Sequence, residues 1–552
     1  MRNVWASCAA PLTTLSLPLL MLVSTPAQTV EPLHNFGTIA GDENVLSSGL
    51  LRDAAAPAKD SDEQDDGRNS KGWPSHSHDA QHTGVSSVRS EPLHHIRWQS
   101  PVDLQPQLSF GELLIHYGSP LVTSKNTVIV PVKVGATNGF RVEARDGKDG
   151  SMKWALDTDY SVPFAFFTPS FGPVLSNDSV VLPAAGGTVL VRDHADREYG
   201  KVERLAFYGL ENFEADPATF SANVQINTPI TADRNGNLYF GFVALGPTSA
   251  GLESGIARIS HDGIGTWVSA ATASGDFNIT KVNMNCAPAL SHDERHLYVG
   301  VDNFDFGFGY LLELNAETLQ PEHQVRLLDP ATGFDALITD DSSATPTVGP
   351  DGDIFFGMLE NPFPSHNDRG WLLHFSADLS QQKSPGDFGW DDTASVVEAS
   401  LVKSYQGASK YLLMTKYNNY AGLGGDGVNK IAILDPGASQ PDFLFGNPVM
   451  KEVLTIAGPT ADPTFPFLPG AVREWCINTA AVDPITKSVL ANSEDGNLYR
   501  WDLTTNRFSE VIKLTGGIGE AYTPTVIGSD GTAYAINDAV LFAVGRKAED
   551  EW

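Results

Sequence analysis

Residues 344–357 read ATPTVGPDGDIFFG, and this phrase sets the plan of the chain. A proline, which fixes φ and cannot donate to a ladder, opens a short apolar strand; Asp351-Gly352 then supplies the positive φ of a tight turn, and Ile354 to Gly357 form a second apolar strand. The phrase recurs roughly every fifty-five residues. It appears as GSPLVTSKNTVIVP from Gly118, FGPVLSNDSVVLP from Phe171, NTPITADRNGNLYFG from Asn227 and CAPALSHDERHLYVG from Cys286. After residue 357 come EASLVKSYQGASKYLLM from Glu398, NTAAVDPITKSVLANSEDG from Asn478 and YTPTVIGSDGTAYAIND from Tyr522, which makes eight starts.

Third strands follow several starts: RVEARDG from Arg141, GIARIS from Gly255, GYLLELN from Gly309, WLLHFSA from Trp371, NKIAILDP from Asn429, NLYRWDL from Asn497 and AVLFAVG from Ala539. Each unit is an antiparallel meander with two apolar faces and open edges, and radial stacking with ring closure covers both. The expected fold is therefore all-β: an eight-bladed β-propeller of four-stranded antiparallel blades over residues 80–548. The last unit lacks a fourth strand after Gly545, so the upstream segment His94–Gln99 is expected to close the ring by joining it. Composition agrees, with 51 glycines, 35 prolines and 19% charged residues in 552; a mostly helical protein is excluded.

Arg2, an apolar run from Ala9 to Val23 and Thr25-Pro26-Ala27 read as a secretory signal peptide over residues 1–27. Pro11 and Pro18 interrupt a run already too short to span a bilayer, and Cys8 precedes it, so neither anchoring nor lipidation is expected. Residues 28–79, with DSDEQDD at 60–66, read as a disordered acidic leader. The expected location is secreted or periplasmic. With 36 basic against 67 acidic residues the net charge is −31, which repels a phosphate backbone and excludes nucleic acid; solubility explains it without a partner.

Trp73 with HDAQHTG at 78–84, IRW at 96–98, and EARDGKDG at 143–150 with Trp154 resemble the pyrroloquinoline-quinone-like (PQQ-like) repeat propellers. That family includes bacterial quinoprotein dehydrogenases and non-enzymatic outer-membrane assembly factors, so the resemblance implies either a quinone cofactor or a protein partner. Its alcohol-oxidising members place an adjacent cysteine pair against the quinone. The three cysteines here are Cys8, Cys286 and Cys476, with no adjacent pair and no CxxCH haem motif. No cofactor is expected, and PQQ stands as the alternative. Asp351-Gly-Asp353 and Asp146-Gly-Lys-Asp149 are turns rather than calcium loops, and no HExxH is present, so no metal is expected.

Propeller ligands meet the innermost strands at the central channel, and side chains two and four residues before the repeat proline share a face. This alignment nominates Asn227, Glu398, Asn478 and Tyr522, and, two residues further back, His116 and Glu520; Glu474 and Trp475 lie beside them. Carboxylates with a phenol serve as general acid and base, or hydrogen-bond a sugar stacked on Trp475. An oxidising compartment favours a Cys286–Cys476 disulfide, but units four and seven of eight stand about 135° apart around a ring, which disfavours it. The loops 418–427 and 460–469 are long enough to be lids or partner contacts.

The reading is a propeller that binds a small molecule, glycan or envelope protein at the channel mouth. Its alternatives are an enzyme acting on a polysaccharide or other neutral substrate through channel carboxylates, and a quinoprotein-type dehydrogenase.

Overall fold

The computed structural model describes residues 71–108, 113, 117–135, 138–162, 171–340, 342, 344–518 and 522–547. The expected signal peptide and the leader as far as residue 70 lie outside them. The described residues form eight small antiparallel sheets in a ring, an eight-bladed β-propeller. In blade one, Leu121–Val122, Thr127–Lys133, Asn138–Asp146 and Met152–Ser161 pair in sequence order, and the other blades repeat that meander. Innermost strands are short and buried, as in Thr347–Val348 and Val526–Ile527, because eight of them crowd one axis. Outer strands alternate: Arg507–Lys513 exposes every second side chain.

Two blades depart from the meander at the centre. In blade three, Val224–Ile226 and Thr231–Ala232 both pair with Leu238–Ala244, and in blade four Lys281–Val282 and Ala289–Leu290 both pair with His296–Asp302. The inner strand is thus broken around Asn227–Ile230 and Asn283–Pro288. Blade five has three full strands, and its outer edge is completed by the bridges Leu372 to Gly386 and Phe375 to Gln382.

As expected, an N-terminal strand closes the ring: His95–Pro101 pairs antiparallel with Val540–Gly545 in the last blade. The tryptophan of the IRW motif then locks that blade to the first. Trp98 donates from Nε1 to the Gly147 carbonyl at 2.9 Å, and its ring lies against Gly150, where a Cβ would come within 2.7 Å of the indole and φ is +73°. Only glycine fits there. Trp154 repeats the device one blade on, donating to the Ala195 carbonyl at 2.9 Å.

The repeat register shifts in blade six. Its inner strand is Ser395–Glu398, so the repeat opens at Asp392-Thr393-Ala394 rather than at Glu398. Ala394 stands where most blades carry proline, so the start lacks its most visible mark.

The boundary expected at residue 80 also moves. Trp73 is fully buried, and the segment from residue 73 to 86 runs around the ring as a strap along the inner strands. Backbone N–H groups of Val122, Leu175, Leu290, Val348, Val396 and Val482 donate to the carbonyls of Trp73, Pro74, Ala80, Gln81, Thr83 and Gly84 at 2.7–2.9 Å. Each donor lies two residues after the repeat proline or its equivalent, in six different blades. Positive φ at Ser77, His78, His82 and Gly84 bends the chain from blade to blade, which a straight strand cannot do.

Candidate functional site at the channel mouth

With the corrected register, the residues two before the repeat proline are Gly118, Phe171, Asn227, Cys286, Ala344, Asp392, Asn478 and Tyr522. Hydrogen bonds between neighbouring starts draw this layer tight: Asn285 N–H donates to the Asn227 carbonyl at 3.0 Å, Thr393 N–H to the Asn478 carbonyl at 3.0 Å, and Thr525 N–H to the Thr479 carbonyl at 3.0 Å.

The strap runs beside this layer. His76 and His82 meet edge to face, with ring centroids 5.8 Å apart, and Trp73 and His78 do the same at 4.8 Å. His82 Nδ1 lies 2.8 Å from the Pro346 carbonyl. His76 lies buried beside Asn478, so the strap comes up against the layer itself; burial, then the His82 ring beside it, push its pKa down to about 3.

Charge concentrates in blade six. Lys416, on the second strand Tyr411–Tyr417, is fully buried, and its Nζ lies 3.3 Å from Asp391 Oδ2. The same ammonium stands 5.7 Å from the Tyr522 ring centroid and 5.7 Å from that of Phe388. Asp391 holds φ +55°, a left-handed conformation that a carboxylate residue adopts at a cost and that surrounding contacts must enforce. Asp392 is 2% exposed, and its Oδ2 has no protein partner. Burial above all, against the pull of Lys416 and with the help of Asp391, pushes its carboxyl well above the usual range. Blade six therefore presents a buried carboxyl with a raised pKa beside an Asp–Lys ion pair.

The residues nominated from sequence divide. Asn478 and Tyr522 belong to this cluster: Asn478 Nδ2 donates to Thr393 Oγ1 at 3.4 Å and its Oδ1 accepts from Thr479 Oγ1 at 2.6 Å. Asn227 lies in blade three, where Nδ2 donates to the Val282 carbonyl at 2.9 Å and ties two blades together. Glu398 is exposed at the far end of its strand and accepts from Ser400 Oγ. Trp475 is fully buried against Tyr499 and Phe508, at centroid distances of 5.5 and 5.8 Å, in an inter-blade core. His116 and Glu520 lie outside the described residues. Asp391, Asp392 and Lys416 were missed; the pattern Asp392-Thr-Ala-Ser-Val396 against Asn478-Thr-Ala-Ala-Val482 carried a signal for the first two. Lys416 had none, being one inward residue of a second strand.

Glu474 joins a different group. Its N–H donates to Glu494 Oε1 at 3.0 Å, and Cys476 Sγ donates to Glu494 Oε2 at 3.6 Å. Glu474, Cys476 and Glu494 bring ligand atoms within 4.8 Å of one another, all buried; burial above all pushes the Glu494 carboxyl up to about 7. His366, Asp387 and Asp442 form a second such group, but His366 Nδ1 is bonded to the Gly370 carbonyl and Nε2 faces both carboxylates at 2.9 and 3.1 Å, which leaves no lone pair for a metal. Cys286 and Cys476 are free thiols in blades four and seven. Cys286 lies beside Gly300, and burial pushes its thiol up to about 12.

The long loops sit together, with Val472 N–H donating to the Gly427 carbonyl at 2.9 Å and Asn429 Nδ2 to the Val472 carbonyl at 2.8 Å. A small cavity near the mouth is lined by Asn283, Leu337, Ile338, Thr339, Ser342, Gly357, Met358, Leu359 and Trp390, with room for about one water molecule. No described helix is long and apolar enough to cross a membrane.

No protein-family model and no curated protein matches the sequence. Among solved structures, a europium-containing methanol dehydrogenase matches over 84% of this chain and 89% of its own, at 11% identity and a TM-score of 0.52. BamB from Moraxella catarrhalis matches over 82% and 98%, at 10% identity and a TM-score of 0.40. The quinohemoprotein alcohol dehydrogenase from Comamonas testosteroni matches over 86% and 71%, at 11% identity and a TM-score of 0.39. The likeness to the methanol dehydrogenase shows the fold alone, an eight-bladed propeller.

Proposed function

We propose that this chain is a secreted or periplasmic propeller that binds a small molecule, glycan or envelope protein at the channel mouth, without bound quinone. One observation carries the reading: Asp392, Asn478, Tyr522 and the Lys416–Asp391 pair form one buried polar cluster on blades six to eight, beside the strap. Binding is thereby directed to the mouth and to the adjoining loops 418–427 and 460–469. Secretion rests on Arg2 and the apolar run from Ala9 to Val23.

Purified protein mixed with PQQ and either calcium or europium(III) is expected to show no dye reduction with methanol or ethanol; turnover would overturn the reading. Immobilised wild-type protein is expected to retain a partner from a cell-envelope extract that the Tyr522→Ala, Asp392→Ala double variant loses. A second reading, an enzyme acting on a neutral polysaccharide, is favoured by Asp392, since a buried carboxyl whose pKa is pushed upward beside the Lys416–Asp391 pair suits general-acid chemistry. It moves from Glu398 to Asp391 and Asp392, and Asp392→Asn is expected to abolish any such turnover.

A further inference from the structure

The cavity beside Trp390 is lined by three residues that each carry a buried polar atom with no partner in the protein: Asn283 Oδ1, Thr339 Oγ1 and Trp390 Nε1. Their residues are 2%, 2% and 5% exposed and come from three places in the ring: the interrupted inner strand of blade four, the connection into blade five, and the turn that leads into blade six. A fourth lining residue, Ser342, accepts from the Ala344 N–H at 3.1 Å and keeps its own hydroxyl proton to give. Buried polar atoms in folded proteins are almost always satisfied, and a set left over around one small space needs an account.

We propose that this cavity is a binding site for one internal water molecule that joins blades four, five and six. The chemistry of the lining selects it. The indole N–H is a donor only, the amide Oδ1 an acceptor only, and the hydroxyl either, so the occupant must accept one hydrogen bond, donate one and take part in a third. A neutral molecule that does both and fits a space of this size is water, and three bonds are the usual complement of a buried one. An anion is refused by Asn283 Oδ1, and a cation by the indole N–H. The water fixes Trp390, which immediately precedes Asp391 and Asp392, so it is a positioning element for the mouth carboxyls. The inference stands independently of whether a ligand binds there.

The test is a high-resolution crystal structure of the wild-type protein, with water exchange measured in solution on protein carrying 15N-labelled tryptophan. A single ordered peak within hydrogen-bond distance of Asn283 Oδ1, Thr339 Oγ1 and Trp390 Nε1 is expected, together with a long-lived water cross-peak to the indole proton that Trp390→Phe removes. Thr339→Val is expected to shift that indole resonance while the protein stays folded. An empty cavity, a different occupant, or side chains turned to protein partners instead would each overturn the proposal, and so would an indole proton with no water contact. Because the first measurements use unaltered protein, a variant that fails to fold does not protect the idea.

Discussion

Lys416 and Asp391 form an ion pair with both side chains at most 2% exposed, so neither charge can be removed alone without leaving its partner in a medium that solvates it poorly. Lys416→Met is expected to cost about 3–5 kcal/mol in urea denaturation, and the double variant Lys416→Met, Asp391→Asn to recover most of that loss. His366 makes the opposite case, a buried cation held by two anions. Burial works against its charge, but hydrogen bonds to Asp387 and Asp442 prevail and raise its pKa from 6.5 to about 9. Its contribution is therefore complete below about pH 6.5 and is lost as pH rises through about 9, a span worth about 3 kcal/mol. Chemical denaturation at a series of pH values is expected to show that decline in the wild type and a flatter profile in His366→Gln.

The strap is an element without secondary structure of its own, yet its carbonyls satisfy an inner-strand N–H in six blades. Its weak point is Gly84, at φ +66°, where a Cβ would come within 2.9 Å of Ser395 Oγ and 3.0 Å of the Ala480 carbonyl. Gly84→Val is expected to destabilise by about 2 kcal/mol through both strain and collision. Amide exchange at Val396 and Val482, whose N–H groups are donated to Thr83 and Gly84, is expected to accelerate first. Unchanged protection at those two amides would mean that the strap does not hold the inner strands. The second strand of blade six shows what element-level reading reaches: its apolar run YLLMTKY was legible as a strand, but nothing in it marked Lys416 as the residue facing Asp391.

At the scale of the whole molecule the ring is closed by one strand from far upstream, His95–Pro101, and by Trp98 seated on Gly150 of the next blade. Trp98→Ala removes a buried indole and its bond to Gly147 and is expected to cost about 3–5 kcal/mol, read as a lower urea midpoint. Closure also explains why the repeat could be recognised before any coordinates: each blade must bury the same faces against its neighbours, so proline starts, Asp-Gly turns and apolar strands recur at a near-constant period.

The sequence by itself determined the number of blades, their meander and the closing strand, because turn φ values, alternation and strand length are local requirements that each unit meets alone. Tertiary structure alone decided that Trp475 packs in a core and that His76 lies buried beside Asn478. These are contacts between residues tens to hundreds of positions apart, such as Ser77 with Thr479. Their partners follow from register and ring closure, and a period in the sequence carries neither.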